Sequence, residues 1–92
     1  MQKANAVITV NGKDRVGIIS TVSSILCAQS INIENITQTI MQGFFTMVMM
    51  VDISEASCDF ESLSKELEAA GIEMGVQVRI QHEAIFNSMH RL

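Results

Sequence analysis

The stretch INIENITQTIMQGFFTMVMMVDI, residues 31–53, decides the fold. Gln42-Gly43 interrupts it as a two-residue turn signal, and the residues on either side are largely β-branched, aromatic or otherwise apolar, which predicts a β-hairpin. On the first arm Ile31, Ile33, Ile36, Thr37, Thr39 and Met41 carry the strand. Their alternation slips between Ile33 and Ile36, and a bulge accounts for the slip. On the second arm Phe44 to Ile53 is apolar at nearly every position, the pattern of a central strand covered on both faces.

Working outward, the segment before the hairpin places Ile18, Ile19, Val22, Ile25 and Leu26 at helical spacing from Val16 onward, with Asp14 where an N-cap belongs. Before that, Ala4 to Val10 reads as a first strand ending in the turn signal Asn11-Gly12. After the hairpin, a polar loop from Glu55 to Asp59 leads to Phe60, Leu63, Leu67 and Ala70 at helical spacing, with Glu61 and Lys65 as an i,i+4 pair. Gly71 is the expected helix stop. Val76, Val78 and Ile80 then alternate with Gln77, Arg79 and Gln81 as a half-exposed last strand. Ile85, Phe86, Met89 and Leu92 share one side of a short third helix in the tail. Strand, helix, strand, strand, helix, strand is the order of a ferredoxin-like α+β sandwich, a four-stranded antiparallel sheet with two helices on one face. The expected division is a domain over residues 1–81 and a helical tail over 82–92.

Composition removes several functions. Six basic residues against ten acidic ones, a formal charge of −4 in 92 residues, lack the positive footprint that nucleic acid rewards. The first strand also has no aromatic on which a base could stack. The apolar runs fall short of the roughly 20 residues of a membrane helix. Cys27 and Cys58 stand alone, and no signal-peptide pattern opens the chain, which points to a reducing cytoplasm. His82, Glu83 and His90 lack ligand spacing, so neither a metal nor another cofactor is expected. Ser and Thr are abundant but have no local His partner or nucleophile elbow, and an enzyme is not expected. Of seven Met, four fall within residues 41–50, where adaptable core filler is the expected role and a dedicated binding surface the alternative.

Two features point to binding. No charged residue lies between Arg15 and Glu34, and Ser20, Ser24 and Cys27 occupy the side of the first helix opposite its apolar stripe. A solvated helix usually carries charges there, so a homodimer contact is expected. Gly17, placed by the pattern in the first helical turn, gives up about 1 kcal/mol relative to Ala. The free amides and positive end of a helix attract a carboxylate, and a glycine lets it approach. Asp14 is then either a cap or a partner for an α-amino group, and Arg15 either pairs with a carboxylate or faces solvent.

The run Lys13-Asp14-Arg15-Val16-Gly17-Ile18 after a first strand, with Ile31-Asn32-Ile33 opening the second, resembles an ACT domain. Gln38, the hairpin Met41-Gln42-Gly43-Phe44-Phe45-Thr46-Met47 and the tail His82-Glu83 to His90-Arg91 are similar to the small bacterial proteins in which that domain is the whole chain. The resemblance implies a regulatory module that binds an amino acid or similar small carboxylate at a homodimer interface. It maps the ligand site onto Asn11, Asp14, Arg15, Val16, Gly17, Ile18, Asn32 and Ile33. No catalytic or DNA-binding segment accompanies the domain here, so either a protein target in trans or a role in ligand buffering is expected. The alternative expectation is a protein–protein interaction module without a small-molecule ligand.

Overall fold

The computed structural model describes residues 5–13 and 17–83. Its elements are β1 (Asn5–Lys13), α1 (Ile18–Ala28), β2 (Asn32–Met41), β3 (Phe44–Asp52), α2 (Phe60–Met74) and β4 (Gln77–His82). The strands form one antiparallel sheet in the order β2-β3-β1-β4, and both helices pack on one face of it. This is the ferredoxin-like arrangement. The third helix expected in the tail lies outside the described residues, as do Asp14, Arg15 and Val16.

Strand register sorts the side chains. Ala6, Ile8 and Val10 of β1 face Val51, Met49 and Met47 of β3, and all six are fully buried. With Val78 and Ile80 of β4 they meet Ile18, Val22 and Leu26 of α1 and Leu63 and Leu67 of α2 in one core. Met47 and Met49 are thus core filler. The expected bulge falls between Ile33 and Asn35, and Gln42 (φ 52) and Gly43 (φ 85) make the turn that a tight hairpin requires.

Four local expectations are corrected. Asn11-Gly12 does not turn: β1 runs on to Lys13, which pairs with Phe44. Gly12 is small because Val76 packs on it, and a Cβ built there would lie 2.7 Å from Val76 Cγ1. Gly17 is not in the first helical turn but occupies the N-cap position of α1, at φ 93; the cap therefore falls three residues beyond Asp14, and the helix begins at Ile18 rather than Val16. Gly71 does not stop α2, which continues to Met74 and is capped by Gly75. A Cβ on Gly71 would meet Val78 Cγ2 at 2.8 Å and the Val76 carbonyl oxygen at 2.9 Å, so helix and strand touch there through backbone. Finally, β3 is covered on one face only in the single chain. Phe45, Met47, Met49 and Val51 are buried, whereas on the other face Phe44 is 63% exposed and Val48 and Met50 are half-buried.

Candidate functional site

The β2 strand lies at one margin of the sheet, and α1 does not reach across it. Ile36, Gln38 and Ile40 pair with Met49, Met47 and Phe45 and so point to the helix side, yet all three are exposed, Ile40 at 58%. Between them and the start of α1 lies a groove of about 410 Å³, lined by Gly17, Ile19, Ser20, Gln38, Ile40 and the edge of Phe45. Ile18 also borders it, although its side chain is buried in the core.

The electrostatics of this groove follow from how α1 begins. The first rung of the helix runs from the Thr21 amide to the Gly17 carbonyl at 2.9 Å. The amides of Ile18, Ile19 and Ser20 precede that rung and have no intrahelical acceptor. No side chain caps Gly17, and no acidic residue stands in the first turn. The left-handed Gly17 (φ 93) has nothing within 4 Å of a notional Cβ, leaving open space at the positive end of the helix. Among the described residues, the side chains that line the groove are uncharged. Glu34 is the single charged residue between Arg15 and Asp52, so α1 and β2 themselves offer hydrogen bonds and apolar contact with almost no charge of their own.

A second groove of about 560 Å³ lies at the other end of α1, lined by Ser23, Cys27, Ser30, Ile31, Asn32 and Ile33. Ser20, Ser24 and Cys27 are exposed along the helix between the two. Eleven helical residues span about 16 Å, so a single chain holds Gly17 and Asn32 too far apart for one small ligand. Asn11, the third described part of the expected site, lies elsewhere. It sits on the sheet face away from the helices, where Thr46 Oγ1 donates to Asn11 Oδ1 at 3.2 Å. Asp14, Arg15 and Val16, the rest of the expected ligand loop, lie outside the described residues.

Sequence reasoning missed the groove walls Ile19, Ser20, Gln38 and Ile40 as site residues. The signal was present in the bulge: it resets the alternation of β2 so that Ile36, Gln38 and Ile40 share the helix side. What the pattern lacks is any sign that α1 stops short of covering them. Among the described residues no group of three or more His, Cys, Asp and Glu could hold a metal. His82 instead stacks on Phe60, with ring centroids 4.1 Å apart. No helix among the described residues is long and apolar enough to cross a membrane.

Comparison with known proteins agrees with this architecture. The family model for the ACT domain matches residues 5–81. The UPF0237 protein of Methanocaldococcus jannaschii is 52% identical over 89 residues, which cover 97% of this chain and 99% of that protein. Among solved structures, the ACT domain protein from Streptococcus pneumoniae superposes with a TM-score of 0.79 at 40% identity, over 92% of this chain and 96% of that one. The fold alone recurs in a formyltetrahydrofolate deformylase from Pseudomonas syringae, at a TM-score of 0.79 and 19% identity, over 89% of this chain and 28% of the deformylase. Since the family model spans the complete sheet and both helices, this chain belongs to the ACT domain family.

Proposed function

We propose that this protein is a regulatory module that binds an amino acid or similar small carboxylate between two copies of the chain and transmits its presence to a protein target in trans. The observation that carries this reading is the uncapped start of α1 at Gly17, opening on an uncharged groove. The ligand carboxylate accepts hydrogen bonds from the amides of Ile18, Ile19 and Ser20, where the helix dipole favours an anion. Ile19 and Ile40 flank the remainder of the ligand, with Gln38 and the Ser20 hydroxyl as polar contacts. Among the described residues no carboxylate, imidazole or thiol lines this groove, which fits binding rather than catalysis.

The separation of Gly17 and Asn32 supports a site shared between subunits. If two α1 helices pack antiparallel along their uncharged sides, Gly17 of one protomer comes next to Asn32 of the partner subunit. The same packing covers Ile36 and Ile40.

The test is a thermal-shift screen of amino acids and small carboxylates, repeated on Ser20→Glu. Ser20 is exposed in the first helical turn, where a carboxylate side chain stabilises a helix by about 0.3–1 kcal/mol. The variant should therefore melt slightly higher than the parent without ligand and lose the ligand-induced shift, because its own carboxylate occupies the anion position. No shift for any compound in the parent, or an undiminished shift in Ser20→Glu, would sink the proposed site.

A further inference from the structure

The face of the sheet away from the helices carries no element among the described residues, yet its two ends differ. On β1 this face takes the odd-numbered residues from Asn5 to Lys13, which pair with the even-numbered residues of β3 from Asp52 to Phe44. Toward the hairpin the face is bare, and Asn11, Lys13, Phe44 and Thr46 are all exposed. At the end where β4 finishes it is closed. Val7, between Met50 on β3 and Gln81 on β4, is only 2% exposed. Of the buried apolar side chains among the described residues, Val7 alone lies outside the core under the helices. Thr9, Val48, Met50 and Gln81 around it are half-buried, and Asn5 Oδ1 is enclosed without a hydrogen bond. The open face of an antiparallel sheet is ordinarily solvated, whereas Val7 is already buried in the single chain.

The course of the chain points to the cover. The last strand ends at His82, opposite Ala6, and the backbone is helical at Glu83. On the helix side the place beside His82 is taken by Phe60, whose ring stacks on it with centroids 4.1 Å apart. Beyond Glu83, the segment 84–92 holds Ile85, Phe86, Met89 and Leu92 at the spacing of one helical face, with Asn87, Ser88 and Arg91 opposite. A helix over 83–92 spans about 15 Å, and β4 lies about 10 Å from β3 across β1, so the segment is long enough to pass Val7 and reach Met50. Residues 1–4 offer one large apolar side chain, Met1, against these four. A second sheet stacked face to face would shut both ends alike, but the closure is confined to the end from which the tail departs.

We propose that residues 84–92 form an amphipathic helix that docks on this end of the sheet in its own chain, with Ile85, Phe86 and Met89 over Val7, Val48 and Met50. The hairpin end of the face stays open, and stacking of two whole sheets is blocked by the tail. The proposal is independent of any ligand at α1.

The test uses the full-length chain. Nuclear Overhauser contacts should connect the Phe86 ring to the Val7 methyl groups, and mixing isotope-labelled with unlabelled chains should show that they arise within one chain. Phe86→Ala should lower the melting temperature by about 5–15 °C, whereas Asn87→Ala and Ser88→Ala on the other side should shift it by no more than about 3 °C. Val7→Ala should lower it as well. The double variant Val7→Ala with Phe86→Ala should lose less than the sum of the two by at least about 3 °C, the sign of a direct contact. No contact between Val7 and Phe86, contacts from Val7 to Met1 instead, contacts between chains only, additive losses, or a Phe86→Ala variant as stable as the parent would each overturn the proposal.

Discussion

Three glycines show how one residue type serves different ends. Gly17 is required by its backbone angle: at φ 93 with open space around it, a side chain meets conformational strain of about 1–2 kcal/mol rather than a clash. This is why Ser20, not Gly17, carries the binding test, since replacing Gly17 would mix lost affinity with lost stability. Gly12 and Gly71 are required by contact. Replacing glycine by alanine inside a helix ordinarily stabilises it by up to about 1 kcal/mol. At Gly71 the new methyl group would press on the Val76 carbonyl at 2.9 Å, a backbone atom that no rotamer change can move aside. Gly71→Ala should therefore destabilise the protein by about 1–3 kcal/mol, measured by chemical denaturation, and a variant as stable as the parent would disprove the close approach. The sequence revealed that small residues stood at these positions. It did not reveal the reason, because the atoms that crowd Gly12 and Gly71 belong to β4 and its approach.

At the scale of elements, the reading of the hairpin and the bulge held because turn chemistry and side-chain alternation are local. The start of α2 was legible for the same reason. Asp59 accepts a hydrogen bond from the Ser62 amide at 2.8 Å, and hydrogen bonds from Ser62 hold its carboxyl below the ordinary value of 3.8, with a smaller contribution from Lys65. A carboxyl lowered on folding contributes stability above its unfolded value and loses that contribution as pH falls through its folded value. Asp59→Ala should thus melt below the parent at about pH 6, and the gap should narrow as pH drops below 3.8. A gap that stays constant down to about pH 2 would show that the charge on this cap contributes nothing. The end of α2 and the start of α1 were not legible. Both are fixed by glycines with positive φ, Gly75 and Gly17, and a pattern of apolar spacing cannot tell which of two nearby glycines will take that role.

For the whole molecule, the asymmetry of charge was already visible in the sequence. The stretch from Val16 to Val51 carries Glu34 alone, and the structure gathers it into α1, the edge strand β2 and its neighbour β3. Burial of the α1–β2 margin between two copies, as proposed, would make stability depend on protein concentration. The melting temperature should rise measurably between about 1 and 100 μM, and Ile40→Asp should remove the dependence by placing a charge in the contact. A concentration-independent melting temperature together with a monomer mass by light scattering would refute the dimer. The candidate site was only half legible at this scale. Gly17 and Asn32 stood out as residues, and a ligand shared between two chains was expected, but the separation of the two residues along α1 exists only in three dimensions.

The outer margin of β2 also bears on the colloidal fate of the newly made chain. Ile36-Thr37-Gln38-Thr39-Ile40 is an uncharged, proline-free run of residues that favour extended structure, set along β2 at the edge of the sheet. Runs of this kind are templates for open-ended, fibre-like growth when their backbone is left unpaired. Pairing with an identical margin in a closed two-fold arrangement would end that growth at two molecules, so assembly of the proposed dimer would double as protection against aggregation.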